Sequence, residues 1–208
     1  MKTSLYSENQ NSTKLTAAQI AGSDSPRGRP ELDFFATNPA AVEMLMDIYR
    51  FNKGSFLEPC VGKGHISDVI KRRYPNSTIV NLDIVDRGYP DTVEQDFLSY
   101  DTEQRFDNII TNPPYSLAKE FVEKGISLLA SGGKMAMFLK IQFLESQKRA
   151  NLFRKYPPKY IYVFTNRMST WRNGEPFDED GKKWSTTICH AWFVWEKDSK
   201  TEPVVRWL

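Results

Sequence analysis

The chain has 208 residues, 40% of them hydrophobic and 13% aromatic, so it is long and apolar enough to bury one sizeable core. A net charge of +2 gives no global attraction for nucleic acid, and two cysteines are too few for a disulfide framework or a zinc site. No apolar run has the form of a signal peptide or the length of a membrane span, so a cytoplasmic protein without a membrane partner is expected.

Residues 1–30 are rich in Ser, Thr, Asn, Gln and Gly, and they are predicted to form a flexible polar tail before a single domain, residues 31–208. A helix is predicted over 39–51, where Val42, Leu45 and Met46 share one face. Strands then alternate with helices along the chain. The strands are predicted near 54–58, 78–83, 91–96, 106–111 and 134–139, and the helices near 64–74, 117–130 and 144–155.

This alternation predicts an α/β fold with a doubly wound, parallel sheet. Two more strands are predicted near 160–165 and 188–195, and the second is nearly all apolar, so it should be buried on both faces. The loop between them, about 166–187, is longer than an ordinary hairpin connection, and long loops in compact domains are usually functional or disordered.

An Asn-Pro-Pro-Tyr sequence directly follows the strand predicted at 106–111. The prolines fix their own φ and drive the preceding residues to extended geometry, so the segment is stiff. The Asn112 side-chain oxygen and the backbone carbonyl of Pro113 can both accept hydrogens from a conjugated NH2 group, and a flat base can stack on Tyr115. The pattern predicts a site for an exocyclic amino group, with Asn112, Pro113, Pro114 and Tyr115 as catalytic residues. The alternative is an ordinary turn.

A second motif, Gly62-Lys63-Gly64, lies between a predicted strand and a predicted helix. Glycines allow a tight turn and close approach of a ligand, and a helix N-terminus favours negative charge. Position 67 is serine, so the third glycine of the dinucleotide fingerprint is missing. S-adenosylmethionine fits better than a pyrophosphate ligand, because it has a carboxylate, a ribose and an adenine but no phosphate.

Acidic residues at later strand ends suit the rest of that cofactor. Asp83 lies 25 residues after Glu58 (83 − 58), where α/β nucleotide sites hold ribose hydroxyls. Asp96 could accept the adenine amino group while Phe97 packs on the ring. Each carboxylate could instead cap a helix or lie in a solvated turn. Their shared place at the carboxyl ends of strands favours one ligand site.

Together these motifs resemble the S-adenosylmethionine-dependent adenine-N6 DNA methyltransferases of bacteria and phages, over roughly residues 30–195. Three segments carry the resemblance: Asp33-Phe34-Phe35-Ala36-Thr37-Asn38-Pro39, Phe56-Leu57-Glu58-Pro59-Cys60-Val61-Gly62-Lys63-Gly64, and Asn112-Pro113-Pro114-Tyr115. In that family they pack against the methionine end of the cofactor, form the cofactor turn and hold the target amino group, respectively. The resemblance implies a Rossmann-like sheet of the class I methyltransferase type, mostly parallel with one antiparallel strand near the C-terminus.

The motifs and the resemblance give S-adenosylmethionine as cofactor and DNA as partner, with RNA possible. The expected cofactor-binding residues are Phe35, Thr37, Asn38, Glu58, Pro59, Cys60, Gly62, Gly64, Asp83, Ile84, Asp96, Phe97 and Asn112. Only 47 residues separate Gly64 from Asn112 (112 − 64 − 1), so no recognition domain is inserted there, and low or very short sequence specificity is expected.

Residues 134–159 carry seven Lys or Arg against one Glu, a local charge of +6 (7 − 1), which suits either a phosphate backbone or a solvated face. The residues expected to contact nucleic acid are Lys140, Lys148, Arg149, Arg167, Trp171 and Arg172. His65 and His190 are assigned structural roles, no metal site is expected, and the oligomeric state is left open between a monomer and a weak dimer.

Three other functions remain open from the sequence. By resemblance, Asn-Pro-Pro-Tyr also occurs in RNA base methyltransferases and in glutamine-amide methyltransferases, although the latter usually carry an N-terminal helical domain for which residues 1–30 are too short and polar. A non-catalytic nucleic-acid-binding protein could keep the same fold, but the intact Asn112 and Gly62-Lys63-Gly64 turn argue against it.

Overall fold

The computed structural model describes residues 34–208. The predicted flexible tail, residues 1–30, lies outside the described residues, and so does Asp33. The division of the chain into a tail and a single domain therefore stays a prediction.

The described residues form ten strands and four α-helices. In chain order these are β1 (Phe35–Ala36), α1 (Pro39–Ile48), β2 (Ser55–Glu58), α2 (His65–Arg73), β3 (Thr78–Asp83), β4 (Thr92–Glu94), β5 (Phe106–Thr111), α3 (Ala118–Leu128), β6 (Leu129–Lys140), α4 (Ala150–Lys155), β7 (Tyr160–Val163), β8 (Trp171–Arg172), β9 (His190–Glu196) and β10 (Val204–Trp207). Among the described residues, every helix is too short or too polar to reach across a bilayer.

Eight strands form one sheet in the order β10-β7-β9-β6-β5-β2-β3-β4. All neighbouring strands run parallel except at β9, which lies antiparallel between β6 and β7. The fold class predicted from the sequence, a mostly parallel α/β sheet with one antiparallel strand near the C-terminus, is confirmed.

Helices cover both faces of this sheet because successive strand residues point to opposite sides. Phe56 and Ile110 pack with α1 and α2 in one apolar cluster. Their chain neighbours Leu57 and Ile109 pack with α3 and with Leu152 of α4 in a second cluster. All residues of β9 except Glu196 are buried, as its unbroken apolar sequence predicts.

The structure departs from the predicted elements in several places, among them an earlier start of β6, at Leu129 rather than near 134. The helix predicted at 144–155 is reduced to α4, because Ser146 starts a new turn by accepting the Lys148 N–H, and Arg149 holds the carbonyl oxygens of the preceding turn. The strand β10 was not predicted; it pairs in parallel with β7. The loop 166–187 contains β8, which pairs antiparallel with β1 in a separate two-stranded sheet.

Candidate functional site

The carboxyl ends of β2, β3, β5 and β6 meet at one edge of the sheet, since these strands are parallel neighbours. The glycine turn follows β2, Asp83 ends β3, Asn112 follows β5 and Lys140 ends β6. Parallel α/β sheets bind ligands at this edge. The topology therefore brings both sequence motifs to the same side of the molecule.

The segment before α1 contacts both motifs. A Cβ built on Gly62 would lie 2.8 Å from Cε2 of Phe34, so the Phe34 ring covers the glycine turn closely. The next residue, Phe35, accepts a hydrogen bond at its carbonyl from Nδ2 of Asn112, at 2.9 Å. Two adjacent residues thus lie between the glycine turn and the Asn-Pro-Pro-Tyr segment, which places the two motifs around one site.

The hydrogen bond to Phe35 also fixes the orientation of the Asn112 amide. Nδ2 donates to a backbone carbonyl, so Oδ1, the acceptor end of the same amide, is turned away from that contact. The prolines that follow hold the backbone extended: Pro114 has φ −55° and ψ 119°. Asn112 therefore presents an acceptor from a stiff segment.

The glycine turn needs glycine at both positions. Gly62 and Gly64 have φ of +56° and +85°, which L side chains rarely adopt. A Cβ on Gly64 would lie 1.9 Å from the Tyr89 ring, whose hydroxyl donates to Asp68. Gly64 is the N-cap of α2 and provides no side-chain cap, so the positive end of this helix faces the turn without a capping side chain.

Asp83 is tied directly to the glycine turn. Its Oδ2 accepts the Gly62 N–H at 2.8 Å and its Oδ1 accepts the Val85 N–H at 3.1 Å. The side chain is buried; burial raises the pKa of the carboxyl group, and the two backbone hydrogen bonds oppose that shift. Each oxygen keeps a second lone pair for a ligand hydroxyl, and the adjacent Ile84 exposes 41% of its surface as an apolar wall.

Three predicted cofactor residues have other contacts instead. Glu58 is buried, and its carboxyl group contacts the Ser67 hydroxyl rather than the open edge; burial raises the pKa of Glu58. Asp96 accepts the Leu98 N–H at 2.9 Å and so caps a turn of 3-10 helix, which is the alternative that the sequence left open. The Phe97 ring is buried in the core, 4.8 Å from that of Phe121, and its packing against an adenine stays a prediction.

Several neighbours of the site keep unsatisfied polar atoms. Among the described residues, the buried side-chain atoms without a hydrogen-bond partner are Thr37 Oγ1, His65 Nδ1 and Thr111 Oγ1. All three lie next to site segments in the chain, and buried polar groups are normally paired in proteins. In contrast, Asn38 accepts the Ala40 N–H and caps α1, and burial raises the pKa of the Cys60 thiol, which packs beside the core.

The basic residues do not form the single face that the sequence suggested. Lys134 donates to the Arg50 carbonyl and Lys159 pairs with Glu196, both at the opposite edge of the sheet from the glycine turn. Arg149 is bound to backbone carbonyls of residues 142–145, and Arg167 to Thr187 and Cys189, so these two guanidinium groups are already engaged within the fold.

Both histidines of the described chain are hydrogen-bonded to the loop 166–187, although neither lies in it. Sequence reasoning gave neither of them a place in the site. His65 donates from Nε2 to the Gly174 carbonyl at 3.1 Å, and its ring lies 5.5 Å from that of Trp171. His190 donates from Nδ1 to the Met168 carbonyl at 3.0 Å, and its ring lies 6.0 Å from that of Tyr115. No local pattern could reveal this, because both contacts cross long stretches of chain.

Comparisons with known proteins agree with this architecture. No family model matches the chain. It is 28% identical over 141 residues to a Type II methyltransferase, M.CvrRI, of Paramecium bursaria Chlorella virus XZ-6E, which covers 55% of this chain and 37% of that protein. The chain therefore spans little more than a third of the length of this relative.

Two solved structures show a similar fold at low identity. A Listeria monocytogenes protein described as a class I S-adenosylmethionine-dependent methyltransferase has a TM-score of 0.58 at 14% identity, covering 81% of this chain and 63% of its own. The type I restriction-modification system methyltransferase subunit from Streptococcus thermophilus has a TM-score of 0.57 at 14% identity, covering 80% and 45%. The chain thus has the class I methyltransferase fold, and the viral relative, named as a Type II methyltransferase, agrees with the resemblance drawn from the sequence.

Proposed function

We propose that this protein is an S-adenosylmethionine-dependent methyltransferase that acts on the exocyclic N6 amino group of adenine in DNA, with low or very short sequence specificity. One observation carries the proposal: Phe34 covers the glycine turn while the Phe35 carbonyl fixes the Asn112 amide. Because the cofactor site and the amino-group site share one wall, a methyl group can be transferred from the bound cofactor to the bound base.

The residues at the site fit the proposed cofactor. Asp83 has carboxylate lone pairs for ribose hydroxyls and Ile84 an exposed apolar surface for an adenine. Thr37 and Thr111 have buried hydroxyls that lack partners, and the uncapped end of α2 favours a carboxylate. When bound, S-adenosylmethionine supplies an electrophilic methyl carbon attached to a positively charged sulfur.

The chain's own contribution is to hold the amino group. Asn112 Oδ1 and the Pro113 carbonyl accept its two hydrogens, and Tyr115 supports the ring of the base. Holding two reactants in line can lower the barrier by about 7–11 kcal/mol. Methyl transfer would break the bond from the methyl carbon to sulfur as the bond to nitrogen forms, and the amine would then lose its proton to water, so no strong base is needed beside it.

The choice of DNA is supported by the comparisons, since one similar structure is named as part of a restriction-modification system. Low specificity is supported by the short connection from Gly64 to Asn112, which contains α2, β3, β4, a 3-10 turn and β5 but no inserted domain. In the described part of the chain, the loop 166–187 is the one long segment at this edge that could contact bases.

Incubation with methyl-tritiated S-adenosylmethionine and unmethylated DNA, RNA or protein tests the proposal, followed by mass spectrometry of the modified nucleosides. N6-methyladenine in DNA, at sites sharing at most a few bases, is the expected result. Label that enters only RNA or protein would replace the proposed substrate, and methylation at a single long DNA sequence would contradict the proposed specificity.

A further inference from the structure

Lys140 lies at the predicted base pocket with its charge over an aromatic ring. It is the last residue of β6, and its Nζ is 5.0 Å from the centre of the Tyr115 ring. Among the ion pairs of the described residues, none involves Lys140. Its ammonium group is therefore held beside the Asn-Pro-Pro-Tyr segment by a ring rather than by a carboxylate.

The neighbouring histidine adds no second charge. His190 is the cross-strand partner of Lys140, and its ring stacks on Phe138 at 4.8 Å. Because the Met168 carbonyl can only accept, the His190 Nδ1 carries the proton. Burial, with a smaller contribution from the Lys140 charge, lowers the pKa of His190 to about 4, so the ring is neutral at the pH of the cell.

This arrangement conflicts with stacking of a base on the same face of Tyr115. Stacking of a base on an aromatic ring is generally worth as much as, or more than, one cation over the same ring. An arriving base can thus displace the ammonium group. Lysine has a flexible four-carbon stem, so its charge can move without moving the strand.

We infer that Lys140 covers Tyr115 in the free protein and, when the target base stacks there, moves to a backbone phosphate of the target nucleotide. This inference rests on the proposed function, because it takes the substrate to be a DNA base that has left its helix. The phosphate is the anion that always accompanies such a base, and the ion pairs of the described residues give Lys140 no carboxylate partner. Lys140 is accordingly a positioning residue that exchanges one weak contact for a stronger one.

The test compares Lys140→Gln with Lys53→Gln, an exposed lysine before β2 at the opposite edge of the sheet. DNA affinity is measured by fluorescence anisotropy over a range of salt concentrations. The probe is an unmethylated duplex that contains an adenine that the wild-type enzyme can methylate. A plot of log affinity against log salt has a negative slope, and each lost phosphate contact makes that slope less steep by about 0.9. We expect this loss for Lys140→Gln, none for Lys53→Gln, and a retained slope for Lys140→Arg.

The outcomes separate this inference from the proposed function. Tighter DNA binding by Lys140→Gln with an unchanged slope would show that Lys140 only obstructs the ring, and would overturn the inference. Equal slope changes in both glutamine variants would overturn it too, since they would report the general charge of the protein. If the wild type methylates no DNA at all, the proposed function fails first, whatever Lys140 does.

Discussion

Replacement of Asn112 by alanine removes both hydrogen-bonding groups of its side-chain amide. The variant loses the 2.9 Å hydrogen bond from Nδ2 to the Phe35 carbonyl and the Oδ1 acceptor for the target amine. These losses affect different steps. The first loosens the segment that covers the glycine turn, and the second removes an interaction with the reacting nitrogen.

The two effects differ in size. A neutral hydrogen bond contributes about 0.5–1.5 kcal/mol, so cofactor affinity should fall by no more than about tenfold. Removing one preorganised hydrogen-bonding group from a reacting centre costs about 10²–10³ in kcat, or about 2.7–4 kcal/mol. Asn112→Ala should therefore lower turnover much more than it weakens cofactor binding.

Single-turnover methylation of DNA and calorimetry with S-adenosylmethionine measure the two effects separately. Asn52→Ala is a suitable control, because Asn52 also donates to a backbone carbonyl, that of Gly132 at 3.0 Å, but at the opposite edge of the sheet. We expect normal turnover from a folded Asn52→Ala. If Asn112→Ala kept turnover within about threefold of the wild type, Asn112 would not hold the reacting amine, and the site would be wrongly placed.

Three further predictions concern the cofactor site and the histidine. Asp83→Asn should weaken S-adenosylmethionine binding in calorimetry by about 5–150-fold, the effect of roughly 1–3 kcal/mol, because an amide cannot accept both backbone N–H groups; unchanged affinity would refute a role at the ribose. Since the folded pKa of His190, about 4, lies below its unfolded value of 6.5, its contribution to stability is present above pH 6.5 and is lost as the pH falls toward 4. The free energy of unfolding of His190→Gln should thus vary less over this range than that of the wild type, by up to about 3 kcal/mol, and equal pH dependence by denaturant titration would contradict the assignment. Gly64→Ala should lower the melting temperature far more than Gly88→Ala, because both glycines have positive φ but only the first would place its Cβ against the Tyr89 ring; equal losses would show that the ring moves aside.

Local patterns determined much of the fold. The strands β3 and β5 have the bounds predicted from the sequence, 78–83 and 106–111, because each is an apolar run with clear ends. The order of strands and helices, with motifs at the strand ends, was enough to predict the parallel sheet and the shared edge. Features that depend on a single strand, such as the bounds of β3 and β5, could be predicted in this way.

Contacts between distant segments were decided only by the tertiary structure. The Phe34 N–H meets the side chain of Asn173, 139 residues away, which closes the loop 166–187 over the glycine turn. Charged groups that looked suitable for nucleic acid, such as Arg149, proved to hold backbone carbonyls, and His190 came to lie beside Tyr115. A sequence pattern records the residues available at each strand end. Which of them meet, and which are used up in satisfying buried polar groups, depends on how the sheet and its loops pack.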